Sequence, residues 1–154
     1  MIFKFAVILE MEEMMNEIVG VWKLHTFHQL NEKGDVSYPF GQDAKGYIIY
    51  TESDHMSVNI MKAGRPPYQS NDIMNGTTEE KLAAMEGYTG YSGKYKIEGN
   101  KVIHLSEVSL IPNLIGLEQE REFTVDNDKL TLKTPVFLVD KQLQHAEIVF
   151  TKMQ

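Results

Sequence analysis

The chain contains no cysteine among its 154 residues. A disulfide framework, a zinc site built on thiolates and a cysteine nucleophile are therefore excluded. Nothing in the cysteine usage indicates an oxidising compartment, and we expect a cytoplasmic protein.

Long hydrophobic runs and an excess of positive charge are also lacking. The apolar segment 2–9 is interrupted by Lys4 and is too short to span a bilayer. The 15 basic and 22 acidic residues give a net charge of −7, the wrong sign for a protein that gains affinity by neutralising phosphates. We therefore expect neither a membrane nor a nucleic-acid partner.

Motifs for metals and phosphates are missing as well. The 5 histidines show no His-x-His or His-Glu-x-x-His spacing, and no glycine-rich loop stands between a strand and a helix. We expect no metal and no bound cofactor.

The chain has no internal repeat and no Pro/Ser-rich linker, which predicts one domain. We assign residues 16–154 to this domain. Residues 1–15 are expected to form a flexible N-terminal extension, because Met11, Met14 and Met15 could each be the native start.

Turn signals at regular intervals separate short extended segments, which is typical of an all-β domain. We predict a single antiparallel up-and-down barrel of about eight strands, because a closed barrel leaves no edge strand exposed. One short helix is predicted at 77–86, where Thr77 and Glu80 have the spacing of a capping box, and we expect it over or beside an opening of the barrel. The strands are expected at 20–30, 46–51, 55–61, 90–98, 101–110, 116–125, 129–134 and 145–152.

Three glutamates alternate with other side chains along the strand predicted at 116–125. Because successive side chains of a strand point to opposite faces, Gln119 and Arg121 are expected to share the inward face with Leu117, Phe123 and Val125. A guanidinium on an apolar face is costly unless it is paired or reached by water, so Arg121 needs a partner or a ligand. The glutamates expected to face solvent are Glu118, Glu120 and Glu122.

The hairpin before this strand supplies further inward positions. A two-residue turn at Gly99 and Asn100 places Tyr95 opposite His104 and Ile97 opposite Val102. A turn centred on residues 112–113 would place Arg121 opposite His104 and Gln119 opposite Ser106, unless a bulge changes the register. The inward set of the hairpin is then Gly93, Tyr95, Ile97, Val102, His104, Ser106, Val108 and Leu110.

These registers gather a polar patch inside an otherwise apolar barrel. Apolar walls with a few convergent polar groups are typical of a ligand site. The predicted ligand-binding residues are Tyr95, His104, Ser106, Gln119 and Arg121.

An ordered series of motifs resembles a known family. Gly20-x-Trp22 on the first strand resembles the start of the calycin group, which includes the lipocalins. The later segments 91–95, 104–109 and 116–121 are similar to the lipocalin-like domain family of small bacterial and fungal proteins, from about residue 16 to the end. The resemblance implies a calycin-type barrel around a cavity. It also implies polar roles for Tyr91, Tyr95, His104, Gln119 and Arg121.

The chain departs from the lipocalin pattern at its last strand. Lipocalin-type barrels commonly end with an arginine packed over the first tryptophan, whereas this chain has Lys152 at that place. A cation–π contact between Lys152 and Trp22 would still close the barrel base.

Three classes of function remain open at the level of sequence. The first is the binding of a small, largely hydrophobic molecule with its polar head group near Arg121 and His104. The second is an isomerase, cyclase or lyase that uses the same cavity, with His104 or Tyr95 moving a proton. The third is a collapsed barrel that acts through its surface, and a homodimer is compatible with each of them.

Overall fold

The computed structural model describes residues 2–139 and 141–154 of the chain. The elements are α1 (Ile2–Ile18), β1 (Gly20–Asn31), β2 (Val36–Ser37), β3 (Lys45–Tyr50), β4 (His55–Met61), α2 (Thr78–Glu86), β5 (Tyr88–Glu98), β6 (Lys101–Ser109), a 3₁₀ helix (Pro112–Leu114), β7 (Glu118–Asp126), β8 (Lys129–Lys133), β9 (Phe137–Val139) and β10 (Gln142–Lys152).

The strands form one antiparallel sheet in the order β2-β1-β3-β4-β5-β6-β7-β8-β10-β9, and β1 also pairs with β10. This last pairing closes β1, β3–β8 and β10 into an eight-stranded barrel, which confirms the predicted fold class.

One of the two helices was predicted from the sequence and the other was not. Helix α2 follows the predicted capping box: Thr77 Oγ1 accepts from Glu80 N at 3.2 Å and the Glu80 carboxylate accepts from Thr77 N at 2.8 Å. Helix α1 occupies a segment for which we predicted no regular structure. The division of the chain at residue 16 stays a prediction. Neither helix has the length and hydropathy needed to cross a membrane.

The two ends of the barrel are built differently. Short turns join β3 to β4, β5 to β6 and β7 to β8 at one end, which we call the closed end. The connections that follow β1, β4, β6 and β8 are longer and lie at the other end, the open end. Helix α2 belongs to the connection after β4, so it lies at the open end, as expected.

Trp22 fills the closed end. Its side chain is fully buried, and its indole Nε1 donates to the carbonyl oxygen of Ile18 at 2.8 Å. Lys152 Nζ lies 5.1 Å from the centre of the indole ring, which confirms the predicted cation–π contact. The last turn of α1 and the end of β10 therefore both cover the tryptophan.

The β5–β6 register was predicted correctly, but the β6–β7 register was not. Tyr95 pairs with His104, as expected. Gln119, however, pairs with His104, and Arg121 pairs with Val102, so the expected pairing is wrong by two residues. The 3₁₀ helix Pro112–Leu114 makes the β6–β7 connection asymmetric. An offset of two residues leaves each side chain on the same face of the sheet. Gln119 and Arg121 therefore still point inward.

A bulge in β6 reverses the faces beyond Ser106. Gly93 pairs with Ser106 while Ser92 pairs with Val108, which leaves Glu107 as the extra residue. Val108 is therefore 70% exposed, and the predicted inward positions of Val108 and Leu110 are wrong. The bulge brings the β6 backbone so close to Gly93 that a Cβ there would meet the Leu105 carbonyl oxygen at 1.9 Å.

A second bulge reverses the faces of β1. Leu24 pairs with Phe150 and Thr26 with Val149, which leaves His25 as the extra residue. Trp22 and Leu24 point inward before the bulge, and Phe27 and Gln29 line the interior after it.

Candidate functional site

A cavity of about 670 Å³ lies inside the open end of the barrel. Most of its lining is apolar, including Phe27 and Phe40, whose stacked rings lie 5.4 Å apart. Strands β3 and β4 supply Ile48, Val58 and Ile60. The connections after β6 and β8 border the cavity through Ile111, Leu114, Pro135 and Val136. Further apolar lining comes from Leu132, Phe137, Ala146, Ile148 and Phe150.

His104 links two tyrosines across the barrel interior. Tyr50 Oη lies 2.8 Å from His104 Nε2, and Tyr91 Oη lies 2.8 Å from His104 Nδ1. His104 and Tyr50 are each 1% exposed. Both Tyr91 and His104 line the cavity, and Tyr50 does not. The hydrogen bonds leave no ring nitrogen of His104 unpaired.

Burial controls the protonation of this group. Burial and the nearby Arg121 charge lower the pKa of His104 to about 3, so the imidazole is neutral at physiological pH. Burial likewise raises the pKa of Tyr50 and of Tyr91, and the Arg121 charge opposes both increases. Both phenols therefore keep their protons at neutral pH.

A second polar chain runs along the inner faces of β6 and β7. Arg121 Nη2 donates to Gln119 Oε1 at 3.0 Å, and Gln119 Nε2 donates to Ser106 Oγ at 2.8 Å. Arg121 Nη1 also donates to the carbonyl oxygen of Glu120 at 2.7 Å. These bonds fix the guanidinium at the cavity, which both Arg121 and Gln119 line.

Arg121 forms no ion pair with any carboxylate that the structure describes. Glu118 and Glu120, which reach the cavity rim, make ion pairs with Lys96 and Lys101 on the outer face. Glu107, on the adjacent strand β6, makes no ion pair with Arg121 either. The rim glutamates are thus engaged with lysines, and Arg121 has no ion-pair partner among residues 2–139 and 141–154.

The five predicted site residues separate into three groups. His104, Gln119 and Arg121 line the cavity, and Ser106 lies behind Gln119 as its fully buried hydrogen-bond partner. Tyr95 does not line the cavity: its hydroxyl donates to the carbonyl oxygen of Thr51 at 2.8 Å, near the closed end. Burial raises the pKa of Tyr95 to about 12. A ligand-binding role for the five residues stays a prediction.

Reasoning from the strand register missed three residues of the site. Tyr91 was indicated only by the family resemblance, although it shares the face of Tyr95 by alternation. Nothing local in the sequence reveals the contact of Tyr50 with His104. Phe40 lies in the connection after β2, where no strand periodicity applies. No group of three or more acidic or histidine side chains in the described residues is arranged to hold a metal ion.

Comparisons with known proteins gave matches to a family model, to a protein sequence and to a solved structure. A family model described as a lipocalin-like domain matches residues 19–153. The chain is 36% identical, over an alignment of 87 positions, to the 4'-hydroxy-3'-methoxypropiophenone carrier protein ppsC of Aspergillus oryzae. The alignment covers 51% of this chain and 78% of the relative. A crystal structure of a lipocalin-like protein from Bacteroides uniformis aligns with 89% of this chain and 99% of its own at a TM-score of 0.45 and 11% identity.

Proposed function

Since the chain belongs to the lipocalin-like domain family, whose fold suggests small-molecule binding, we propose that it binds a small, largely hydrophobic molecule inside the barrel. The polar head group of this molecule lies beside Arg121 and His104. The observation that carries the proposal is the guanidinium of Arg121, held at an apolar cavity without an acidic partner in the described residues.

The shape and lining of the cavity support this proposal. Its volume of about 670 Å³ falls within the range of small-molecule sites, which is about 300–1,000 Å³. Stacked Phe27 and Phe40 and the aliphatic side chains of β3 and β4 offer a surface for a flat or aliphatic body. Polar side chains gather on β5, β6 and β7, so a ligand would be oriented with its polar end toward these strands.

The relative from Aspergillus oryzae supplies a first probe. Its name identifies it as a carrier of 4'-hydroxy-3'-methoxypropiophenone, which is a small aromatic ketone with a phenol group. Such a molecule combines an apolar body with polar oxygen atoms, which is the combination that this cavity favours. We propose that the present chain binds a compound of similar size and polarity.

The protonation of His104 favours binding over catalysis. The isomerase, cyclase or lyase alternative needs a group that accepts or supplies a proton near neutral pH. Because the pKa of His104 is lowered to about 3 and both ring nitrogens contact tyrosine hydroxyls, this histidine is a weak base. The geometry is better suited to fixing the orientation of a molecule.

Calorimetric titration with 4'-hydroxy-3'-methoxypropiophenone tests the proposal. We expect saturable binding to the wild type, binding at least about tenfold weaker to Arg121→Met, and unchanged binding to the outer-face control Lys94→Met. Native mass spectrometry of the protein as purified provides a second measurement. No titratable binding together with no retained small molecule would overturn the proposal, as would equal binding to Arg121→Met. Conversion of the probe during incubation would favour the enzyme alternative.

A further inference from the structure

We propose that the head group is bound as an oxyanion, with the Tyr91 hydroxyl as its hydrogen-bond donor and Arg121 as its counter-ion. This inference rests on the proposed function and specifies its ligand class. It also adds Tyr91 to the residues that touch the ligand, with Tyr50 and His104 as positioning residues. Which acceptor each tyrosine hydroxyl can bind depends on the direction of its proton.

The direction of the hydrogen bonds follows from the burial of Tyr50. Its hydroxyl is buried, and His104 Nε2 is the one side-chain partner that it has among the described residues. A buried hydroxyl that did not donate would leave its proton unsatisfied, which is costly. Tyr50 therefore donates to Nε2, and the neutral imidazole of His104 carries its proton on Nδ1.

The tautomer of His104 determines whether the Tyr91 hydroxyl donates to His104 or accepts from it. Because Nδ1 carries the proton, it donates to Tyr91 Oη across the 2.8 Å contact. The proton of the Tyr91 hydroxyl is then not used by His104. Since Tyr91 lines the cavity, this O–H is available to an acceptor atom of a ligand.

The neighbouring polar groups are also donors or are already paired. The carbonyl oxygen of the Gln119 side chain accepts from Arg121, and its amide nitrogen donates to Ser106. Two N–H groups of Arg121 bind protein oxygens, and a hydrogen bond from the guanidinium to the Tyr91 hydroxyl oxygen opposes the increase in the pKa of Tyr91. The guanidinium has five N–H groups, so donors remain for a ligand at the cavity. The head-group end of the cavity thus offers N–H and O–H donors and one positive charge. The two glutamates at its rim, Glu118 and Glu120, are already paired with lysines.

An oxygen atom with a negative charge complements this arrangement. A neutral ketone could accept from Tyr91, but it would leave the charge of Arg121 unbalanced in an apolar cavity. A phenolate or a carboxylate satisfies both groups, and charge-assisted hydrogen bonds are the stronger kind. A phenol with a para carbonyl group ionises readily because the carbonyl delocalises the charge, and its proton passes to the buffer on binding.

The test compares pairs of similar probes, of which one can form an oxyanion and the other cannot. The first pair is 4'-hydroxy-3'-methoxypropiophenone and its methyl ether, 3',4'-dimethoxypropiophenone. The second pair is 4-ethylbenzoate and 4-ethylbenzamide, which tests a carboxylate as the source of the oxyanion. Binding is measured by calorimetry, and the ultraviolet spectrum of the bound phenol is recorded below the pH at which the free phenol ionises.

We expect the bound phenol to show the absorption of the phenolate and the methyl ether to bind at least about tenfold weaker. Binding of 4-ethylbenzoate but not of the phenol would support the inference with a carboxylate as head group. A bound phenol with a neutral spectrum and an equally bound ether would overturn the inference and leave the proposed function intact. If none of the four probes bound and no molecule were retained on purification, the proposed function itself would fail.

Matched tyrosine variants test the assignment of Tyr91. Tyr91→Phe keeps the ring and removes the hydroxyl, and we expect oxyanion binding to weaken about tenfold. Tyr47→Phe removes an exposed hydroxyl from the outer face of β3 and should leave binding unchanged. Equal phenolate binding by wild type and Tyr91→Phe would show that the Tyr91 hydroxyl does not bind the head group. The spectrum of the phenol bound to wild type remains decisive if Tyr91→Phe does not fold.

Discussion

His104 is an uncharged histidine in the barrel interior. Its pKa is about 3 in the folded protein because burial and the charge of Arg121 disfavour the imidazolium. In the unfolded chain its pKa returns to an ordinary value near about 6.5. Between these two values the unfolded state binds a proton that the folded state does not bind, so acid favours unfolding.

This linkage predicts a specific loss of stability in acid. From about pH 7.5 to about pH 5, His104 should reduce the free energy of unfolding by about 2 kcal/mol. We expect His104→Gln, which keeps a polar side chain but does not titrate, to lack this part of the pH dependence. Urea denaturation of both proteins at the two pH values measures the difference. An equal pH dependence would show that His104 gains its proton without unfolding.

The lack of an ion-pair partner determines the expected stability of Arg121→Met. Since Arg121 has no carboxylate partner in the described residues, methionine removes a partly buried charge while keeping much of the side-chain volume. We expect the ligand-free variant to be as stable as the wild type within about 1 kcal/mol, or more stable. Urea melts without ligand measure this. A loss of about 3–5 kcal/mol would instead indicate a structural ion pair.

Side-chain direction was predictable at these positions, but depth along the barrel was not. Alternation with the outward glutamates of β7 places Arg121 inside, and the observed register preserves that face. Tyr91 and Tyr95 share one face of β5, yet only Tyr91 meets the cavity. The position of each tyrosine along the barrel axis depends on the tilt of the strands and on how far Trp22 fills the closed end. Neither quantity can be read from the local alternation of side chains.

At the scale of elements, the strands and α2 were predictable from alternation, turns and capping. The two bulges were not. An extra residue at Glu107 or His25 leaves no mark in composition, because its effect is to change which of two equally plausible faces points inward. The outward position of Val108 and the inward position of Phe27 both follow from such a bulge.

The β6 bulge predicts that Gly93 is indispensable. A Cβ at this position would overlap the Leu105 carbonyl oxygen, which is backbone and has little freedom to move. We expect Gly93→Ala to lose about 3 kcal/mol or more of stability, or to fail to fold. Lys94→Ala, at the next and outward position of β5, should change stability by less than about 0.5 kcal/mol. Urea melts of both variants test this, and a fully stable Gly93→Ala would contradict the bulge geometry.

At the scale of the whole molecule, the barrel combines a packed closed end with a cavity at the open end. Fold class was predictable because strand number, short turns and a glycine-x-tryptophan start all indicate one closed barrel. The identity of a ligand was not predictable, because it depends on the shape of the cavity where connections distant in sequence meet. Phe40 and Val136, from different connections, both border the cavity.

At the closed end, we expect Ile18 to contribute more to the stability of the barrel than the rest of α1 does. Ile18 is fully buried, and its carbonyl oxygen accepts from Trp22, whereas Phe3, Phe5 and Leu9 are exposed. Deleting residues 1–15 should therefore lower the free energy of unfolding by less than about 2 kcal/mol. Ile18→Ala should cost about 2–5 kcal/mol, and the matched exposed change Ile8→Ala should cost little. A large loss on deletion, measured by urea denaturation, would show that α1 is part of the folded core.

The unequal ends of the barrel make this chain a natural scaffold for engineering. Loop length costs little entropy, so the connections after β1, β4, β6 and β8 can be exchanged or extended with small effects on folding. The anchoring contacts of Trp22 with Ile18 and Lys152 lie at the opposite end and would not be touched. Libraries confined to the open-end loops could then produce barrels with new ligand preferences from a single framework.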